Sequence, residues 1–238
     1  MSAKRIGIVT IGQSPRRDLH DDFKTLVGPD VELLEIGALD HLDRSEIERL
    51  YPIADKSDIL VSRMTDGSQI TISEKDLEPL LQNAIKTMLS RQPDVLVVLC
   101  TGDLPDVESS TIPVILPKHV IQHFFLGLGT KKLAVMSPEP SQIENAKRRW
   151  NQAGIDCDNA SGSPYLEQQP RYQGALKLAN SDASIIYLDC MGYTLEQAGQ
   201  IAKWSQKITL SARQIIFKAA SSLILNQPEQ STQSQHNQ

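Results

Sequence analysis

The sequence predicts an α/β fold made of two pseudosymmetric lobes with mostly parallel sheets and a ligand cleft between them. Three observations carry this reading. Short apolar, β-branched runs alternate with helical patterns along the chain, and after Gly129 the alternation starts again. Matched stretches then recur in the two halves: Ser14-Pro15 with Ser137-Pro138, Cys100-Thr101-Gly102 with Cys190-Met191-Gly192, and "PVILP" with "KITLS". Two long units are too few for a stacked repeat array, so the pattern reads as an internal duplication.

The first half opens with Ile6 to Ile11, a β-branched run suited to a buried parallel strand. "QSPRRDLHDDFKTLV" follows, with a Ser-Pro start and Leu19, Phe23 and Leu26 at helical spacing. "VELLEIGAL" is the second strand, and "DRSEIERLY" is a short helix with Asp43 or Ser45 as its cap. "ILVSRM" and "QITIS" flank Asp66-Gly67, a hairpin signal. "EKDLEPLLQNAIKTMLSRQ" is an amphipathic helix in spite of Pro79 and feeds the strand "VLVVLC"; "TIPVILPK" is a further strand, and "HVIQHFFLGLG" is a short apolar helix closed by glycine.

In the second half, "KKLAVMSPEPSQIENAKRRWNQAG" repeats the order of strand, Ser-Pro turn and helix. "IDCDNASG" is a strand, "YQGALKLANSD" a helix, "ASIIYLDC" and "KITLSA" are strands, and "RQIIFKAASSLIL" is the closing helix. Lobe 1 is expected to comprise residues 1–117 plus 211–226, with the hairpin inserted at about 57–74, and lobe 2 residues 118–210. Residues 227–238 are polar, without apolar periodicity, and are expected to be disordered.

Composition narrows the function. A chain of 238 residues with 40% hydrophobic and 22% charged residues is an ordinary globular protein. Its net charge of -5 argues against nucleic acid as a partner, and the one dense basic group, "KRRW" at 147–150, reads as a solvated helix face. No run reaches the roughly 18 to 20 apolar residues that cross a bilayer, and the N-terminus lacks a signal-peptide core, so a cytoplasmic protein without a membrane partner is expected. The oligomeric state stays open, with a homodimer compatible. Three cysteines, Cys100, Cys157 and Cys190, form no disulfide framework and no zinc spacing. His119 and His123 lack a third ligand, so no metal is expected. The absence of GxGxxG, Walker and G-x-S-x-G motifs leaves nucleotide and serine-hydrolase chemistry without support, and no cofactor is expected.

The chemistry lies in the two matched cysteines. Ligands of parallel α/β sheets sit beyond the carboxyl ends of the strands, and Cys100 and Cys190 stand where their strands end. Either alone reads as a small buried residue. Together, facing each other across a pseudo-twofold axis, they form an acid/base pair: one as thiolate takes a proton from the α-carbon, the other as thiol delivers one to the opposite face. That use requires a lowered thiol pKa, for which backbone N–H groups are a source. Gly102 and Gly192 let backbone donors approach a carboxylate. In "GQSPRR" at 12–17, Arg16 and a helix N-terminus suit an anion; a Ser14 cap with Pro15 at the first helical position fits equally well. Arg63 adds an anion contact if the hairpin folds over the cleft as a lid, and is otherwise in solvent. Gln13, Ser14, Arg16, Arg63, Thr101, Gly102, Ser137, Met191, Gly192 and Tyr193 are the expected frame around a small anionic, carboxylate-bearing substrate.

The residues "TIGQSPRRD" at 10–18, "LVSRMTDGS" at 60–68 and above all "LDCMGYT" at 188–194 resemble the AroM family over nearly the whole chain except its tail. That family resembles in turn the aspartate/glutamate racemase superfamily. The resemblance implies an Asp/Glu racemase-like fold, with one cysteine from each lobe, here Cys100 and Cys190, at the interlobe active site. It implies cofactor-independent racemisation or epimerisation of a small carboxylate or hydantoin-like compound. A decarboxylase or isomerase using one cysteine, and a non-catalytic ligand binder, are the alternatives. Thr101-Gly102 departs from the Asn-Thr or Thr-Asn that commonly follows the superfamily's first cysteine.

Overall fold

A computed structural model describes residues 4–54, 59–102, 107 and 111–225. The expected disordered tail at 227–238 lies outside the described residues.

The first sheet has the order β2-β1-β5-β6, all parallel. Its central strands, β1 (Arg5–Thr10) and β5 (Val95–Leu99), are the runs "RIGIVT" and "VLVVL". Both faces are covered, which is why these strands read as near-continuous apolar runs. β2 (Glu32–Gly37) is one edge, and β6 (Val114–Ile115) the other. Only two residues of "TIPVILPK" pair, fewer than the sequence suggests, because Pro113 and Pro117 bracket them and proline has no N–H to give a ladder. The second sheet has the order β10-β9-β7-β8, again parallel: β7 (Lys132–Ser137), β8 (Asp156–Ser161), β9 (Ile185–Leu188) and β10 (Ile208–Ser211).

The hairpin is present as an antiparallel pair, β3 (Ile59–Arg63) with β4 (Gln69–Ser73). It leads into α3 (Glu74–Ser90), capped by the Ser73 side chain. α2 (Arg44–Leu50) is held by a reciprocal cap between Asp43 and Glu46. The N-terminal segment departs from the Ser-Pro helix start. The Ser14–Pro15 peptide is cis, a 3-10 turn covers Arg17–Leu19, and α1 (His20–Leu26) begins later. Ser14 caps no helix; its N–H and Oγ both bond to the Asp40 carboxylate, at 2.6 and 2.7 Å.

α4 (Pro117–Gly127), α5 (Ile143–Gln152), α6 (Gln168–Ala179) and α8 (Ala212–Ile224) match the expected helices. α7 (Leu195–Ser205) was not anticipated. Its buried stripe is only Ala198, Ile201 and Ser205, too small to register as apolar periodicity; the Thr194–Gln197 capping box was the available signal. α8 returns from the second sheet to pack on α4, α1 and β5. One core cluster therefore spans both sheets, with Ile6, Val97, Phe125, Leu133, Trp150, Tyr187 and Phe217 together. Within "KRRW" the solvated face holds for Lys147 and Arg148, which are exposed, whereas Arg149 turns toward the cleft and Trp150 is buried, stacking edge-on with Phe125 and Tyr187. Among the described residues, no helix is long and apolar enough to cross a membrane.

Candidate active site

Cys100 follows β5 directly and Cys190 stands two residues past β9. Their local geometry is the same. Each backbone N–H bonds to the carbonyl two residues back, Cys100 to Val98 at 2.9 Å and Cys190 to Leu188 at 3.0 Å. Each sulfur then accepts from the N–H two residues on, Gly102 and Gly192, both at 3.3 Å. Close packing requires these glycines. A Cβ on Gly192 would meet the Tyr165 phenol and Pro164, and one on Gly102 would come within 2.6 Å of Leu60 Cδ2.

Both thiols line one pocket between the sheets, with an empty volume of about 730 Å³ including the open solvent at its mouth. Ile59, Leu60, Val61 and Ser62 of the hairpin form one wall, and Thr101, Gly102, Ser137, Met191 and Arg16 also face it. Thr101 Oγ1 donates to the Asp189 carbonyl at 3.3 Å, which fixes the two cysteine-bearing turns against each other. The hairpin is tied to the far side through Gln69: its amide nitrogen donates to Glu139 at 2.7 Å and its amide oxygen accepts from Ser163 Oγ at 2.6 Å.

Gln13, Ser14, Arg63 and Tyr193 are placed elsewhere. Gln13 ties the carbonyls of Leu39 and Leu42 to Thr65. Ser14 is held by Asp40. Arg63 bonds to the Gly67 carbonyl at 3.1 Å and lies 3.6 Å from Asp18. Tyr193 is fully buried, its hydroxyl donating to the Gly162 carbonyl at 2.6 Å. Gly192 contributes its N–H to Cys190 from behind the wall.

Arg16 faces the pocket with its charge already compensated. Nε and Nη2 grip Asp18 at 2.9 Å each, Nη1 donates to Thr10, and Nη2 also reaches the Tyr165 hydroxyl at 3.3 Å. Its backbone N–H is taken by Glu35, so the expected helix-terminal anion site does not form there. Burial works against ionising Asp18, but Arg16, Arg213 and Arg63 outweigh it and bring the carboxyl down to about 2. Arg213, wholly buried in α8, bonds to Asp18, to Asp22 and to the carbonyls of Met191 and Gly192.

Arg149 lines the pocket and pairs with buried Asp189, which also accepts from Tyr187. Long-range partners such as Tyr165, Arg149 and Arg213 are what sequence reasoning missed. Two serine hydroxyls of lining residues, Ser62 Oγ and Ser137 Oγ, are buried and have no hydrogen-bond partner among the described residues. The thiols are not lowered as expected. Burial pushes Cys100 up to about 12 against the Gly102 N–H, and it raises Cys190 against Gly192, Tyr165 and Arg16. Cys157, in β8, belongs to the core. Among the described residues, no group of three or more His, Cys, Asp or Glu is arranged to hold a metal ion.

A double mutant of arylmalonate decarboxylase in its liganded form matches the fold with a TM-score of 0.65 at 11% identity, over 94% of each chain. Maleate isomerase from Pseudomonas putida S16 matches with a TM-score of 0.60 at 13% identity, over 92% of this chain and 91% of its own. Allantoin racemase from Pseudomonas fluorescens gives 0.59 at 13%, over 92% and 90%. The fold is therefore the Asp/Glu racemase-like α/β fold. No curated sequence relative matches the chain. The AroM protein family model matches residues 6–224, and with nearly the whole described chain inside that match, the chain belongs to the AroM family.

Proposed function

We propose that this protein is a cofactor-independent racemase or epimerase of a small carboxylate-bearing compound, with Cys100 and Cys190 as a two-base acid/base pair. The observation that supports it is the placement of both sulfurs, in matching local geometry, on the walls of one pocket. One cysteine, as thiolate, takes the α-proton and becomes the thiol. The electron pair of the broken C–H bond is held in the adjoining carboxyl group as an enediolate, and the other thiol returns a proton to the opposite face, becoming the thiolate. Ser62 and Ser137, whose hydroxyls have no hydrogen-bond partner among the described residues, are the donors to the developing oxyanion.

Proton exchange in deuterated water, run with candidate amino acids and hydantoins, tests this. Cys100→Ala and Cys190→Ala should each abolish turnover, and normal exchange in both variants would overturn the reading. A one-cysteine decarboxylase or isomerase is the second reading, and the observation favouring it is that the two sulfurs differ in their partners: Cys190 has Tyr165 at 3.8 Å, and Cys100 has only the Gly102 N–H among the described residues. Grossly unequal effects of the two alanine substitutions would support that reading.

A further inference from the structure

We propose that Tyr165 is a further catalytic residue of this pocket: oriented by Arg16, its hydroxyl supports the thiolate of Cys190 and not that of Cys100, which makes Cys190 the sulfur that ionises first. The proposal rests on the acid/base reading of the two cysteines. It begins with the direction of the hydrogen bonds. A guanidinium has donors only, so in the contact between Arg16 Nη2 and Tyr165 Oη, 3.3 Å apart, the phenol oxygen must accept. Its own proton is then free to point at Cys190 Sγ, 3.8 Å away and within reach of a hydrogen bond to sulfur. The Arg16 guanidinium lies 5.7 Å from the ring centroid, adding positive charge next to the same phenol. Burial keeps the Tyr165 hydroxyl well above its ordinary pKa, so it remains a donor.

The loop that carries Tyr165 is built to hold it there. Arg171 Nη1 donates to the carbonyls of Ser163, Leu166 and Glu167, at 2.7, 2.7 and 3.3 Å. The Tyr165 N–H bonds to Ser163 Oγ at 3.2 Å, and that same hydroxyl donates to Gln69 of the hairpin. The ring packs on Gly192, the residue whose N–H already points at Cys190. At Cys100, among the described residues, the sulfur accepts only from the Gly102 N–H and has no hydroxyl partner. The duplicated turns therefore give equal backbone support to the two sulfurs, and Tyr165 breaks the equality.

The test is the pH dependence of iodoacetamide alkylation, followed separately for Cys100 and Cys190 by peptide mass spectrometry in the substrate-free protein. In the unaltered protein the midpoint for Cys190 should lie below that for Cys100. Tyr165→Phe keeps the ring over Gly192 and removes only the hydroxyl; it should raise the Cys190 midpoint by about one pH unit, roughly a tenfold loss of thiolate at neutral pH, and leave Cys100 unchanged. An unmoved Cys190 midpoint, or both midpoints moving together, overturns the proposal. The wild-type ordering of the midpoints stands as a second measurement if the variant does not fold, and the reverse order also overturns it. Because alkylation reads the thiols without turnover, a failure of the racemase assay in the cysteine variants is distinguishable from a failure here.

Discussion

Arg213 Nη2 and Asp18 Oδ2 meet at 3.0 Å, the arginine with no solvent exposure and the carboxylate with 9%. Asp18 also receives Arg16 from the pocket side, and Arg213 reaches on to the carbonyls that follow Cys190. One carboxylate thus links the first-sheet segment, the closing helix and the second cysteine turn. Removing one partner of such a buried pair leaves an uncompensated charge, which costs about 3 to 5 kcal/mol. Arg213→Ala should lower stability by about that amount in urea unfolding. A loss below 1 kcal/mol would show that the network contributes little.

The same carboxylate predicts an acid limb of stability. Folding holds Asp18 at about 2, below the ordinary aspartate value near 4, so the folded state resists the protonation that the unfolded chain accepts. The contribution, about 2 kcal/mol, is complete above roughly pH 5 and is lost as pH falls toward 2. Thermal unfolding scanned between pH 5 and pH 2 should show this loss. Asp18→Asn should be less stable at pH 5 and should follow a shallower acid limb.

The Arg149–Asp189 pair sets the charge beside both sulfurs. Asp189 raises the two thiols, and Arg149 opposes that effect at Cys100. Arg149→Gln should therefore push the pH midpoint for Cys100 alkylation upward, and Asp189→Asn should move it downward. Opposite or absent displacements in a thiol-labelling titration would count against this electrostatic assignment.

The two glycines beside the cysteines should tolerate alanine unequally. At Gly102 the added methyl meets the tip of Leu60, a flexible side chain that can turn away. At Gly192 it meets a phenol held by its own hydrogen bonds and a proline ring 2.8 Å off. Gly192→Ala should cost about 1 to 3 kcal/mol from overpacking and displace Tyr165, and Gly102→Ala should cost less. Guanidinium unfolding curves of the two variants give the comparison, and equal losses would contradict it.

The sheets were legible because parallel strands covered on both faces are written as unbroken apolar runs, as in "IGIVT" and "VLVVL". The thiol pair was legible because duplication repeats a pattern, and repetition is visible without coordinates. The charged network was not. Asp18 and Arg213 are 195 positions apart, and nothing local to "RDLHDD" or "ARQIIF" marks one as the partner of the other. Arg149 was misread because its helix turns it from the exposed side, where its neighbours Lys147 and Arg148 suggest it belongs, onto the flank of buried Ala146. α7 lacks a legible apolar period because Ile201 is the one large apolar side chain in its buried stripe, beside Ala198 and Ser205.

Duplication supplied the protein with two like sulfurs, but among the described residues the β3–β4 hairpin is found in the first half alone. The crevice is therefore walled by this hairpin on one side, and the Gln69 amide pins that wall to both Glu139 and Ser163. Symmetry at the two sulfurs is thus joined to a one-sided wall. Under the proposed racemase reading, both mirror forms of a substrate meet that same wall, and any bias between them would have to arise at the sulfurs themselves.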